Sequence, residues 1–268
     1  MTWEDTSSFT GLLDDYPGAA AAYSLRLLDS TYTGSAIRVR RADNNAEQDI
    51  GFDNNELDTS ALATFCSGTD GFVKTWYSQT GSNDATQTTT TAQPKIYDGT
   101  TGVVTENGKP ALSNWITAQT ILIASFGQTY NTVHLFSVSS ENQASSVGYI
   151  ASGNTTTQFR LGRNGQGSDI WLYDGRISKS TTSEASGQAL VSALNGVNPD
   201  GYFNGLQRTF DNTLNGNGMS GAYIGNHPTL SGQGNIDGNL QELIIYNSDQ
   251  SSNRSGIETN INDFYSIF

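Results

Sequence analysis

Two carboxylates, an amide and a handful of aromatic rings in the second half of the chain are the residues whose types and spacing could do chemistry. Trp171 and Tyr173 stand two apart in Ile170-Trp-Leu-Tyr173, so an extended chain puts both rings on one face. Rings so presented can stack on the apolar faces of sugars, while Asp174, Asn226, Glu242 and Tyr246 could hydrogen-bond the hydroxyls; Trp115 and Tyr223 are further rings within this reading. The competing reading is that the same rings fill the space between two sheets. Asp169, Glu184, Asp200, Asp211 and Asp237, mostly beside Gly or Asn, read as turn residues. Glu242 lies inside an apolar run, where it is either a ligand contact on a concave face or a structural acid held by a partner, and the second reading is preferred.

The two histidines form no metal or nucleophile constellation. His134 alternates within Val133-His-Leu-Phe136, and His227 precedes Pro228 in a loop. Asp53-Asn-Asn-Glu56 and Asn235-Ile-Asp237 are oxygen-rich enough for calcium, but such loops are commoner as turns, so neither a metal nor another cofactor is expected.

The element that must position these groups is Gly238-Asn-Leu-Gln-Glu-Leu-Ile-Ile-Tyr246. It reads as a long central strand with Leu243 and Ile245 on one face and Leu240, Glu242, Ile244 and Tyr246 on the other, so both faces need covering. Ile257, Ile261, Phe264, Tyr265 and Phe268 then recur at helical spacing, which predicts a helix near 253–266 that packs back on the sheet. A short helix is expected near 58–67, with Asp58 as its N-cap and Gly68 after its end. The remainder reads as short strands: Tyr23–Leu28, Ala36–Arg41, Gln48–Phe52, Gly71–Tyr77, Thr132–Ser139, Gly148–Ser152, Gln158–Arg163, Asp169–Tyr173, Gln188–Leu194, Gly201–Phe203 and Gly221–Ile224. Asn-Gly pairs at 107, 164, 195, 204 and 215 punctuate them as tight turns.

With 268 residues, 29 Gly, 5 Pro and 35% hydrophobic residues, the composition favours one all-β domain. The absence of a fixed repeat argues against a propeller or β-helix and leaves two stacked antiparallel sheets. Residues 1–18 read as a polar arm ahead of a single domain at 19–268, either loosely docked or an anchor whose apolar contacts are Trp3 and Phe9. A formal charge of −13 gives phosphate backbones no electrostatic purchase, which excludes nucleic acid as a partner, and Arg38, Arg40 and Arg41 read as an ion-paired strand face. The single cysteine, Cys66, excludes an intrachain disulfide. No signal peptide or membrane-spanning run is apparent, so synthesis in the cytoplasm is expected, followed by residence in a virion or on an extracellular surface.

The strings Ala22-Tyr-Ser-Leu-Arg-Leu-Leu28, Ala36-Ile-Arg-Val-Arg-Arg41, Leu57-Asp-Thr-Ser-Ala-Leu-Ala-Thr-Phe-Cys66 and Gly71-Phe-Val-Lys-Thr-Trp-Tyr-Ser-Gln-Thr-Gly-Ser-Asn-Asp-Ala-Thr-Gln87 resemble the N-terminal part of the α-L-arabinofuranosidase B catalytic domain. They also resemble phage and bacterial proteins of the concanavalin A-like lectin/glucanase superfamily. Gly201-Tyr-Phe-Asn-Gly205 and the closing strand are similar to laminin G-like elements. The resemblance implies a concanavalin A-like jelly-roll β-sandwich of two antiparallel sheets. In the arabinofuranosidase family it also implies a nucleophilic Glu, whose place here falls on Arg176, and an acid Asp, whose place falls on Asn226 or His227. Neither can serve: an Arg cannot attack an anomeric carbon, and an amide cannot donate the proton. The reading that follows is a non-enzymatic virion or surface module, acting as a homo-oligomer among other virion or surface structural proteins, that binds host cell-surface polysaccharide. Its rivals are an arabinofuranosidase-like hydrolase with a displaced catalytic pair, for which Asp174 and Glu242 are the fallback, and a purely structural spacer. No membrane partner is implied.

Overall fold

A computed structural model describes residues 9–113, 115, 121–142, 147–164, 170–182, 187–227 and 234–268. Its centre is the strand Leu240–Tyr246, every residue of which is buried. This strand pairs antiparallel with Ala19–Ser24 on one side and His134–Glu141 on the other. Gly187–Leu194, Asp200–Phe203 and Leu206–Gln207 complete a six-stranded sheet. The second, twelve-stranded sheet runs from Ile177–Lys179 through Ile170–Tyr173, Arg160–Asn164, Val147–Ser152, Met219–Ile224, Leu122–Tyr130, Ala85–Thr86, Gly71–Trp76 and Ile37–Arg41 to Glu47–Ile50, with Lys95–Asp98 and then Gly102–Val103 branching from Gly71–Trp76. The expected all-β sandwich of antiparallel sheets is therefore the observed fold.

Alternation along the central strand explains why it needs two covers. Leu243 and Ile245 enter the core between the sheets, which also holds Trp76, Trp115, Leu135 and Ile224. Ile244 and Tyr246 enter a second core on the far side, closed by Ile257, Ile261 and Tyr265 of the helix Arg254–Tyr265. Each such aliphatic side chain contributes about 1.5–3 kcal/mol by leaving water. Leu240 departs from the expected pattern and joins the core between the sheets. The cause is a bulge: Val138 faces Glu242 but Ser139 faces Leu240, so Gln241 is skipped and the alternation resets.

Residues 9–18 dock on the sandwich. Leu12 and Leu13, in the short helix Leu12–Asp15, are buried in the second core, and the Tyr246 hydroxyl donates to the Tyr16 carbonyl at 2.6 Å. Phe9 is half-buried at the start of this segment, and Trp3 lies outside the described residues. The helix Thr59–Cys66 forms where expected, with Asp58 Oδ1 accepting from the Ala61 amide at 2.8 Å. Cys66 is buried. The first strand is Ala19–Ser24 rather than Tyr23–Leu28. Ala21 packs into one core and Ala22 into the other, where small side chains let the two layers approach.

Candidate functional site

The helix Arg254–Tyr265 plates the outer face of the smaller sheet, but the outer face of the larger sheet carries no such cover among the described residues. On it, strand alternation sends Phe159, Leu161, Ile170, Leu172, Ala222 and Ile224 inward to the core and their neighbours outward. Backbone pairing then aligns the outward residues in two rows. One runs Ile177, Tyr173, Arg160, Ser152, Tyr223 and Ile123, each directly opposite the next. The other runs Lys179, Trp171, Gly162 and Tyr149. Gly162 is required here, because a Cβ would come within 3.1 Å of the Tyr149 ring and 2.8 Å of Val147 Cγ1.

Arg160 is the floor of this patch, only 2% exposed. Its guanidinium carbon lies 4.4 Å from the centre of the Tyr173 ring and 5.5 Å from that of Tyr149, a double cation–π arrangement. Nη2 makes a long 3.5 Å contact with the Thr155 carbonyl. Asn226 and His227 close one side. The chain reaches them through Gly225, whose φ of +85° and whose position over the Trp115 ring, 2.0 Å from where a Cβ would sit, admit no side chain. The Asn226 carbonyl accepts from Ser152 Oγ at 3.3 Å, and Asn226 Oδ1 accepts from the His227 amide at 2.5 Å. The His227 ring meets Tyr149 and Tyr223 edge-on at 6.3 and 6.1 Å. Burial, with the Arg160 charge adding to it, pushes the His227 imidazole down to about 4, so it is neutral at pH 7. Among the described residues, the buried donors Arg160 Nε, Trp171 Nε1 and Asn226 Nδ2 have no acceptor. The assembly offers aromatic faces and N–H groups around a buried cation.

Of the residues singled out in the sequence, Trp171, Tyr173 and Asn226 come together here, with Tyr223 and His227. Asp174 follows directly but turns inward: its Oδ1 accepts from the Asn215 amide and its Oδ2 from the Asn217 amide, both at 2.9 Å, and it is fully buried. It holds a loop and presents no free oxygen. Glu242 and Tyr246 are in the other sheet, on its helix-covered face. Glu242 accepts from Arg26 Nε at 2.9 Å, Arg26 Nη2 at 3.1 Å and Ser24 Oγ at 2.7 Å, and is fully buried. It is the structural acid and not a ligand contact, because neither oxygen reaches a concave surface. Tyr246 is likewise fully buried, its hydroxyl already donating to Tyr16. The fallback pair of Asp174 with Glu242 is therefore not formed, since the two lie in different sheets. Arg176 occupies the exposed turn after Tyr173. Trp115 is a core residue whose Nε1 donates to the Leu112 carbonyl at 3.1 Å.

Arg160, Tyr149 and Ser152 were missed as site residues. The signal was present, because the expected strand Gln158–Arg163 alternates Phe159 and Leu161 with Arg160 and so assigns Arg160 to the outer face. Asp53-Asn-Asn-Glu56 proves to be a hairpin turn: Asn54 and Asn55 both have positive φ, and Glu56 pairs with Lys109 at 2.8 Å. Among the described residues no three His, Cys, Asp or Glu side chains gather closely enough to hold a metal. His134 is a structural histidine, its Nδ1 accepting from the Gln250 amide at 3.2 Å. A cleft of about 590 Å³ elsewhere is lined by Lys95, Asp98, Thr105, Asn142, Asp237 and Asn239 among others, without an aromatic ring. Glu141 sits beneath Gly148 on the inner side of the same sheet, and burial pushes its carboxyl up to about 8 against the opposing pull of Arg163.

The molecule is a two-sheet β-sandwich with one face plated by a helix and one aromatic-lined face left open among the described residues. Residues 14–161, more than half of the chain, match the family model described as α-L-arabinofuranosidase B, catalytic, and the chain belongs to that family. The structure is similar to a GH54 α-L-arabinofuranosidase soaked with a cyclic sulfate inhibitor, with a TM-score of 0.69 and 17% identity over 93% of this chain and 64% of that one. It is also similar to an arabinofuranosidase complexed with arabinofuranosyl-α-1,2-xylobiose, with a TM-score of 0.65 and 17% identity over 91% and 62% of the two chains. A more distant likeness, with a TM-score of 0.50 and 12% identity over 71% and 31%, is to Trypanosoma rangeli sialidase in complex with 2,3-difluoro-KDN. The chain thus spans a little under two thirds of the length of these arabinofuranosidases, and at such identities the likeness is one of fold. No curated protein matches it by sequence.

Proposed function

We propose that this chain acts on glycans and holds a saccharide against the outer face of its larger sheet, between Trp171, Tyr173 and Tyr223 and above Arg160. The observation that carries the reading is the pair of aligned rows, which brings half-buried rings and hydrogen-bond donors to one open face of a fold whose family acts on arabinofuranosides. Family membership favours a glycosidase-type role over the virion or spacer roles, for which neither fold nor comparisons give support. Kinship with the concanavalin A-like superfamily is part of the same reading. Hydrolysis is the second reading, favoured by the family itself. Against it, the described residues of this face offer no pair of carboxyl groups about 5–5.5 Å apart, the arrangement retaining hydrolysis requires.

The test is to incubate the purified chain with arabinan, arabinoxylan oligosaccharides and a panel of cell-surface polysaccharides, and to measure both bound fraction and released sugar. Binding that falls about tenfold in Trp171→Ala and Tyr173→Ala supports the site. Release of sugar selects the hydrolytic reading. Binding unchanged in both variants, or no binding across the panel, would sink the proposal.

A further inference from the structure

Resting on that reading of the site, we infer that the saccharide it takes is acidic, carrying a carboxylate that sits on Arg160, rather than a neutral arabinofuranoside. A buried guanidinium is ordinarily matched by a carboxylate of the protein, as Arg26 is matched by Glu242 in this same molecule. Arg160 is equally buried, yet no carboxylate among the described residues pairs with it. Its surroundings are two tyrosine rings, one of which, Tyr149, also turns its hydroxyl to the guanidinium, one carbonyl at the limit of hydrogen-bond distance and the ring of a neutral histidine. The one acid next in sequence to the patch, Asp174, is withdrawn by two backbone amides.

The donors left over have a common character. Arg160 Nε, Trp171 Nε1 and Asn226 Nδ2 are buried N–H groups that find no acceptor among the described residues. Leaving such a group unmatched is costly, and an arrangement of three on one patch implies an acceptor that comes from outside. The register sets the strand of Arg160 between that of Trp171 and that of Ser152. Arg160 stands directly opposite Ser152, whose hydroxyl holds the Asn226 carbonyl, and Trp171 is the diagonal neighbour of Arg160 across the adjoining strand. A carboxylate has two coplanar oxygens and up to four acceptor positions, which matches a guanidinium edge together with two further N–H donors. A neutral sugar hydroxyl offers a single oxygen and brings its own proton, so it meets fewer of these donors at once. The rim adds charge of the same sign, with Lys179 in the row of Trp171 and Arg176 in the exposed turn after Tyr173.

The chain as a whole carries −13, so a long acidic polymer is repelled at distances beyond the site. Short oligosaccharides at about 0.15 M salt isolate the local recognition. The experiment is calorimetric titration of the full chain with three probes of equal length: oligogalacturonate, its methyl ester, and arabino-oligosaccharide. Arg160→Gln and Arg160→Lys are run in parallel, their folding checked by circular dichroism and thermal unfolding. The expected result is that oligogalacturonate binds about 10- to 100-fold more tightly than either neutral probe. Arg160→Gln should abolish that preference, and Arg160→Lys should keep part of it, because the charge remains and the planar fork is lost. Equal or tighter binding of the neutral probes, sensitive to Trp171→Ala, overturns the acidic-ligand inference while leaving the saccharide site intact. A preference for the acid that survives in a folded Arg160→Gln also overturns it. Binding of none of the three overturns the inference and the saccharide site together.

Discussion

Removing one member of the Arg26–Glu242 pair should be among the most damaging changes available in this protein. Glu242 is fully buried and the Arg26 side chain is 8% exposed, so both charges are out of water. The carboxylate accepts two bonds from Arg26, one from Ser24 and a weaker one from Tyr265 at 3.3 Å, while Arg26 Nη1 donates to Asn260 of the terminal helix at 2.9 Å. Arg26→Met strands the carboxylate and Glu242→Leu strands the guanidinium; each should cost about 3–5 kcal/mol. For a domain of this size that is a fall in Tm of roughly 6–20 °C. The double variant leaves no stranded charge, but the Ser24 and Tyr265 hydroxyls short of an acceptor and Asn260 Oδ1 short of a donor, and should cost about 1–3 kcal/mol. The assay is urea unfolding of the four proteins at pH 7, monitored by tryptophan fluorescence. A double variant as unstable as the sum of the two singles would refute the reasoning, because the charges would then not be each other's compensation.

Stability should peak near pH 6.5. Burial holds His134 and His227 down to about 4, so the stability they contribute is complete above the ordinary histidine value of 6.5 and is lost as pH falls through 4. Glu141, raised from 4.5 to about 8, contributes stability that is complete below 4.5 and lost as pH rises through 8. Glu141→Gln should therefore flatten the alkaline limb, by up to about 5 kcal/mol at pH 8.5; an unchanged limb in denaturant melts across pH 5–9 would contradict this. Gly225→Ala should destabilise by about 2–4 kcal/mol and weaken saccharide binding, because it strains a left-handed backbone and drives a methyl into Trp115; calorimetric melting and titration read the two effects. Asp174→Asn turns one of two carboxylate acceptors into a donor facing a backbone amide. It should cost about 1–3 kcal/mol and speed amide exchange at Asn215 and Asn217, and unchanged exchange there would count against the loop-holding role.

The central strand, the two helices, the hairpin turns and the sandwich were legible because each rests on local periodicity or on residues that tolerate positive φ. Asn107-Gly108 and Asn204-Gly205 both form the tight hairpins their sequences predict. The nine-residue strand Leu122–Tyr130 was missed because Gly127 takes φ +67° and the pairing skips between Ser125 and Tyr130, which blurs its alternation. Leu12 and Leu13 were passed over because two apolar residues in a polar stretch carry no period; only the second core around Ala22 and Ile244 explains their burial. At the site, Trp171 and Tyr173 were visible as a pair on one strand face. The outward place of Arg160 was legible from its strand, but its role was not, because its partners come from three other segments of the chain, and that convergence exists only after the sheet is assembled.

The bulge that skips Gln241 and the helix that covers Tyr246 make the molecule two-faced, and that fixes how it can meet anything large. With the helix side occupied, a surface-bound glycan can approach only from the opposite broad side, so productive encounters have a single orientation. Copies joined back to back through their helices would point their sites in opposite directions and bridge separate polymer strands. Copies arrayed edge to edge would point them the same way and lie flat along one. Immobilising the chain through its terminal helix should leave recognition intact, whereas coupling through Lys179 should silence it.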